Sequence, residues 1–300
     1  RMFPVETHRG CPYKCAFCNS PSQITLYKEE ASTNYLRRKS FENMHNELFF
    51  YKNEMKAEYL YFWADTFFSW SQKDLEIFAD IYADIKLPFW CQTRPETITK
   101  KRIEIVQKMG LDKMSLGVEH GNYEFRKKYV DRPMPNQVVT DAMNLLYNMG
   151  VRTTCNNIIG FPYETRKLAF DTIRLNRTFK AMDRTINSFI PFHGTVLRKT
   201  TDKLGYTKPD DIQKSLKVGA QYDMPQFKRK EIKGLIRTFN YYCRFPEERW
   251  DEIKKAEEVS PDGNKIFEEL KKEFMDKYWS KDISFEQAAA ENDPHATLPT

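Results

Sequence analysis

The 300-residue sequence has no uninterrupted apolar run near the roughly 18–20 residues needed to cross a bilayer, so no membrane span is expected. It shows no signal peptide, no low-complexity tract, and no internal repeat beyond an alternation of strand-like and helix-like segments. Cysteine is scarce: six residues in all, three of them crowded into positions 11–18. That distribution excludes a disulfide scaffold and points to metal binding in a reducing, cytoplasmic compartment. An excess of one charge sign is also missing. At a net charge of +6, Lys and Arg are interspersed with Asp and Glu, which reads as solvated helix faces and makes a nucleic-acid partner unlikely on charge grounds. With 40% hydrophobic and 30% charged residues, the chain is expected to be a soluble globular protein with one large domain, or one plus a small one. It opens at Arg1 and not at a methionine, so a fragment lacking an upstream part is expected.

What is present is concentrated in Gly10-Cys-Pro-Tyr-Lys-Cys-Ala-Phe-Cys18. Cys11, Cys15 and Cys18 follow the spacing CxxxCxxC, and three soft thiolates on one short loop can hold three irons of a 4Fe–4S cluster. The fourth iron would then lack a protein ligand and be open to a small molecule. The plainer alternative is a zinc site with His8 adding a nitrogen, but structural zinc takes four ligands and no fourth cysteine lies nearby in sequence. Cys91 and Cys155 read as buried structural thiols, and Cys243, without a companion, suggests no second cluster.

The first 200 residues alternate between strand and helix patterns. Residues 3–8 read as a first strand that leads into the cysteine loop. Ser40 is a plausible N-cap for a helix with Phe41, Met44, Leu48, Tyr51 and Met55 on one face. Strands are expected at 59–63, 87–91, 111–118, 151–159 and 185–190. Between them, Leu75, Phe78, Tyr82 and Ile85 mark one helix, and Ile105, Val106 and Met109 another, closed by Gly110. Val138, Ala142, Leu145 and Met149 mark a third, closed by Gly150, and a fourth is expected near 165–180. Six strands alternating with helices imply an α/β fold with parallel pairing, a partial (β/α)6 TIM-like barrel whose working face lies at the carboxyl ends of the strands. Residues 201–280 read as a helical C-terminal extension, and 281–300 as a polar tail.

Taken with these landmarks, the chain resembles the radical S-adenosylmethionine (SAM) enzymes, in which CxxxCxxC carries the cluster on the loop after strand one. Phe17 matches the aromatic of the family's CxxxCxΦC form. The resemblance extends to the cobalamin-associated subgroup through Trp63-Ala64-Asp65-Thr66 after strand two, Arg94 in CQTRPE after strand three, and Gly117-Val118-Glu119-His120-Gly121 after strand four. Gly160-Phe161-Pro162-Tyr163-Glu164-Thr165 after strand five and Pro191-Phe192-His193-Gly194-Thr195 after strand six complete the series, which covers about residues 3–200. Ala64, His120 and Tyr163 depart from the subgroup's usual pattern.

The resemblance implies a cluster on Cys11, Cys15 and Cys18, with SAM chelating its open iron. It implies reductive cleavage of SAM to methionine and a 5′-deoxyadenosyl radical, followed by hydrogen abstraction or cobalamin-dependent methyl transfer on an unknown substrate. As cofactor contacts it implies Phe17 beside the adenine, Asp65 facing the SAM ammonium and Glu119 accepting from the ribose or ammonium. Arg94 would pair with the SAM carboxylate or hold Glu119. Gly160 would shape its turn, and Ile159, with Ile158, would offer adenine an apolar surface. Each has a structural alternative: packing for Phe17, a cap for Asp65, and an ion pair with Lys113 or Arg94 for Glu119. His193 is the catalytic candidate for substrate contact or proton transfer, and the basic turn Arg37-Arg38-Lys39 reads as solvated by default. Implied partners are a small-molecule or lipid-like substrate and a reductant such as flavodoxin or ferredoxin, with cobalamin held by a domain upstream of this fragment as a further option. Two other readings are a non-catalytic iron–sulfur or zinc-binding protein and a radical enzyme modifying RNA or ribosomal protein.

Overall fold

The computed structural model describes residues 1–213 and 219–279, so the polar tail expected at 281–300 lies outside the described residues. Six strands form one sheet in the spatial order β1 (Met2–Val5), β4 (Tyr59–Phe62), β5 (Phe89–Thr93), β6 (Leu111–Glu119), β7 (Arg152–Ile159) and β8 (Asp183–Ser188). β1 pairs with β4, β4 with β5 and β5 with β6, all in parallel, and a helical crossover lies between successive strands of the order. This is the expected α/β topology of a partial (β/α)6 barrel. The chain divides into two compact units: Arg1–Val118 with Met134–Cys155, and Glu119–Pro133 with the described residues from Asn156 onward.

In the first unit the strand–helix junctions follow from short polar residues placed where helices begin. Ser40 caps α2 (Phe41–Asn53), Ser71 caps α3 (Gln72–Tyr82) and Thr99 caps α4 (Lys100–Met109), each accepting the N–H three residues on. Gly110 ends α4 at φ 109°, a conformation that disfavours a side chain. Leu60 and Phe62 of β4 are fully buried, and Phe62 contacts Phe67, Phe78, Tyr82 and Phe89, forming an aromatic core beneath the strand ends.

Four expectations shift. The first strand stops at Val5, and His8–Arg9 (β2) instead pairs antiparallel with Arg37–Arg38 (β3) in a separate ribbon. Arg38 pairs with Asp74 at 2.9 Å and Lys39 with Glu47 at 2.5 Å, so the basic turn is engaged in ion pairs. A helix not expected from the sequence, α1 (Ser20–Glu30), follows the cysteine loop; its weak apolar face, with Ser20 as its buried residue, explains why periodicity did not reveal it. In α6 (Asn136–Asn148) the buried stripe is Val139, Ala142, Met143 and Leu146. Two apolar stripes run side by side on this helix, and the expected one at 138, 142, 145 and 149 is displaced by about one position.

In the second unit, α5 (Tyr123–Tyr129) and α7 (Arg166–Arg177) are capped by Asn122 and Thr165. Among the described residues no strand of the main sheet follows Ser188, and the longer regular elements after it are the helices α8 (Val196–Lys203), α9 (Arg229–Arg244), α10 (Trp250–Ala256) and α11 (Pro261–Phe274). α9 packs on α7 and β8 through a face that includes Ile232, Leu235, Phe239 and Tyr242. No described helix is long and apolar enough to cross a membrane.

Candidate functional site

The cysteine loop belongs to the first unit. Gly10 opens it at φ +88°, where a Cβ would lie 2.7 Å from the Leu36 side chain, so glycine is required by both backbone and space. Asp65, at the end of β4, lies close enough to the loop for the Gly10 N–H to lower its carboxyl pKa. Within the loop the Cys18 N–H is donated to the Cys15 carbonyl at 3.0 Å, and the Cys11 N–H to Ser20 Oγ at 2.9 Å. Cys11 and Cys15 are buried and Cys18 is partly so. Burial pushes the Cys11 thiol up and the Cys18 thiol up to about 11, and the other cysteines' charges add to both shifts, so the three sulfurs are electrostatic neighbours.

Each sulfur also meets a polar group of the chain. Cys11 Sγ lies 3.2 Å from the Thr66 hydroxyl, Cys18 Sγ accepts the Ser20 N–H at 3.4 Å, and Cys15 Sγ accepts from Arg94 Nη1 at 2.9 Å. Arg94 is nearly buried, stacked 3.7 Å over the Tyr13 ring, and bonded through Nε to Glu96 Oε1 at 2.7 Å. Burial pulls its guanidinium down, but Cys15 and Glu96 outweigh that and hold it raised. Asp65 is solvent-exposed, and crowding by the surrounding chain raises its carboxyl more than the Gly10 N–H lowers it. Phe17 is half-buried. His8, considered as a zinc ligand, has both ring nitrogens engaged: Nδ1 accepts from Trp70 Nε1 at 2.6 Å, leaving the Nε2 proton for the Thr66 carbonyl at 3.1 Å.

The second unit holds the turns after β6 and β7. Glu119, at the end of β6, is buried with φ 69°, and its Oε1 lies 3.6 Å from Arg132 Nη1. Ile159 closes β7 fully buried and accepts the Phe189 N–H at 2.7 Å. Gly160 follows at φ +85°, and its carbonyl accepts the Tyr222 hydroxyl at 2.7 Å. Its N–H and that of Phe161 are donated to Glu164 Oε2 at 2.5 and 2.9 Å, so one buried carboxylate fixes the whole turn. Glu164 Oε1 in turn meets His120 Nε2 at 3.1 Å. His193 is exposed, with Nε2 3.2 Å from the Pro209 carbonyl. Cys91 and Cys155 are fully buried in β5 and β7, and Cys243 is buried in α9, as expected of structural thiols.

Three features escaped the sequence reading. Thr66 and Tyr13 were not weighed because their partners, Cys11 and Arg94, are distant in sequence. The His120–Glu164 pair joins two turns 44 residues apart, although His120 in place of the usual small residue was itself a signal.

A parallel β/α sheet with a three-thiol loop after its first strand defines the class, and sequence comparison gives the family. Residues 5–175 match the Radical SAM superfamily, and the chain belongs to it. It is 24% identical over 252 residues to an uncharacterised methyltransferase of Pyrococcus horikoshii, covering 80% of this chain and 51% of that protein. It is 25% identical over 221 residues to the oxygen-independent coproporphyrinogen III oxidase of Helicobacter pylori, covering 69% and 46%. The chain thus spans about half the length of the curated relatives it matches. Among solved structures, it shares its fold with the cobalamin-dependent S-adenosylmethionine radical enzyme OxsB with aqua-cobalamin bound, at TM-score 0.56 and 12% identity over 93% of this chain and 46% of that one. Coproporphyrinogen III oxidase of Escherichia coli gives TM-score 0.56 and 12% identity over 85% and 58%. The methyltransferase TsrM of Kitasatospora setae, with cobalamin and a [4Fe-4S] cluster bound, gives 0.53 and 12% over 68% and 39%.

Proposed function

We propose that this chain is the catalytic domain of an enzyme that cleaves S-adenosylmethionine reductively, with Cys11, Cys15 and Cys18 holding a 4Fe–4S cluster. The observation that carries the reading is the loop itself: three neighbouring thiols, each with a polar contact from the chain, following the first strand of a radical SAM fold. The donor set fits the group. Thiolates are the ligands such clusters take, and polar contacts to sulfur are the usual means of stabilising them. A single zinc ion fits less well. Structural zinc takes four ligands, and both ring nitrogens of His8, beside the loop, are engaged by Trp70 and the Thr66 carbonyl.

When bound, the cluster supplies the electron that breaks the sulfonium bond of SAM. The chain's own residues place and shield. Buried Cys11 and Cys15 keep water from their sulfurs, Gly10 gives the loop its opening turn, and Glu164 holds the Gly160 and Phe161 amides rigid. On the resemblance, Phe17 and Asp65, and separately Glu119, Ile159 and Gly160, are assigned as SAM contacts.

The names of the Pyrococcus relative and of TsrM favour methyl transfer, with cobalamin supplied outside this chain. The coproporphyrinogen oxidases favour a second outcome, oxidation begun by hydrogen abstraction. Anaerobic reconstitution of the full chain with iron and sulfide, then SAM and a strong reductant, tests the proposal. 5′-Deoxyadenosine supports reductive cleavage, and S-adenosylhomocysteine beside it supports methyl transfer. A colourless, zinc-loaded protein overturns the proposal. Cys15→Ala is expected to lose both iron and cleavage.

A further inference from the structure

We propose that Arg94 sets the reduction potential of the cluster through its hydrogen bond to Cys15, an inference that rests on Cys11, Cys15 and Cys18 being the cluster ligands. The three sulfur contacts are unequal. Thr66 approaches Cys11 with a neutral hydroxyl at 3.2 Å, and that hydroxyl is also 2.9 Å from the Asp65 carbonyl, a competing acceptor. Ser20 approaches Cys18 with a neutral amide at 3.4 Å. Arg94 alone among these donors brings a full positive charge, and it makes the shortest contact, 2.9 Å. Charge-assisted bonds are roughly twice as strong as neutral ones.

The guanidinium is held in that position from several sides. Its Nε is donated to Glu96 Oε1 at 2.7 Å, Nη2 reaches the same carboxylate, and its Cζ lies 3.7 Å from the Tyr13 ring centroid. Glu96 lies in the single 3-10 turn Pro95–Thr97, and the Thr97 hydroxyl closes that turn on the Arg94 carbonyl at 2.6 Å. With only 8% of its side chain exposed, the charge acts in a poorly screened environment. Reduction adds one electron to the cluster, so a fixed positive charge beside a ligand sulfur stabilises the reduced state more than the oxidised one and raises the potential. Glu96, of opposite sign, opposes this in part.

This differs from the role the family resemblance gives Arg94, a partner for the SAM carboxylate, and the difference can be measured without SAM. The test is a redox titration of the reconstituted full chain, followed by electron paramagnetic resonance of the reduced cluster in the absence of SAM, with iron and sulfide counted per chain. Arg94→Gln is expected to bind iron as the unaltered chain does, and to show about a tenfold smaller reduced-to-oxidised ratio at the unaltered chain's midpoint, a fall of about 59 mV for a one-electron couple. Thr66→Val, which removes a neutral contact, is expected to shift the midpoint less. Arg94→Lys, which keeps the charge but loses the planar fork, is expected to shift the midpoint downward by less than Arg94→Gln, and decides the matter if Arg94→Gln fails to assemble a cluster. An unchanged midpoint in a cluster-loaded Arg94→Gln chain overturns the proposal, as does an unchanged midpoint in Arg94→Lys where only that variant assembles a cluster. An unaltered chain that takes up no iron overturns the functional reading and this inference together; a loaded chain with an unmoved midpoint overturns this inference alone.

Discussion

His120 and Glu164 form a hydrogen bond of 3.1 Å in which neither side chain has any solvent exposure. The direction of the proton is fixed by a neighbour: the Asn122 N–H is donated to His120 Nδ1 at 3.1 Å, so Nε2 carries the proton and donates to Glu164. The carboxylate passes the connection on to the Gly160 and Phe161 amides. A backbone amide after β6 is thereby linked to the turn after β7 through two side chains.

Glu164→Ala is expected to cost about 3–5 kcal/mol, because it strands two buried amides and an imidazole N–H. Glu164→Gln keeps an acceptor for the amides but turns an NH2 group toward the His120 N–H. It should therefore be destabilising on its own and less so in a His120→Ala background, a coupling read by denaturant titration of the four chains. Additive effects would show that the pair is not a unit.

Two glycines predict opposite extremes. At Gly121 a Cβ would lie 2.1 Å from the Asp171 carbonyl and 2.4 Å from the Thr172 Cα, so the backbone of α7 would have to move. At Gly150 nothing lies within 4 Å, and the φ of +71° is the sole penalty. Gly121→Ala should cost about 3 kcal/mol or prevent folding, against about 1 kcal/mol for Gly150→Ala. Thermal melts of the two variants check the ranking.

Burial lowers the His8 pKa from the ordinary 6.5 to about 4, outweighing its bond to the Thr66 carbonyl. The folded chain therefore keeps the ring neutral while the unfolded chain protonates it. The associated stability is full above pH 6.5 and falls between about 6.5 and 4, by up to about 3 kcal/mol. His8→Gln in the metal-free chain is expected to flatten the stability curve across that window. A slope identical to the unaltered chain's would refute the assignment.

Adjacent glutamates offer a further contrast. Glu257, largely buried, takes a two-pronged contact from Arg166 at 2.9 and 2.5 Å and a third bond from the Tyr242 hydroxyl at 2.6 Å. Glu258 meets Lys230 at 2.9 Å with both side chains well exposed. Glu257→Ala should destabilise the chain by about 3 kcal/mol. Glu258→Ala should leave the melting temperature within error, since exposed pairs contribute little.

The strand–helix alternation was legible where helices start at a short polar residue and strands are dense in apolar residues, as at Ser40, Ser71 and Tyr59–Phe62. Cys11, Cys15 and Cys18 stood out because three cysteines crowd into one short loop. Their polar surroundings did not. Thr66 is 55 residues from Cys11 and Arg94 is 79 from Cys15, so folding alone brings them together. Phe125 lies 4.4 Å from the His120 ring, helping to bury an imidazole whose sequence context suggested a turn. α1 stayed hidden because a helix with little apolar face leaves almost no periodic signal.

The short ribbon that joins His8–Arg9 to Arg37–Arg38 encloses everything from Gly10 to Leu36, the three thiols and α1 included. Its pairing brings the two ends of that segment together. The entropy of closing the segment is then met in part by strand pairing. On the proposed function, iron affinity at the thiols is expected to depend on how firmly His8 and Arg38 hold the neck of that loop. A mutation in the ribbon, remote from every sulfur in chemistry, would be felt as a change in how readily the chain accepts metal.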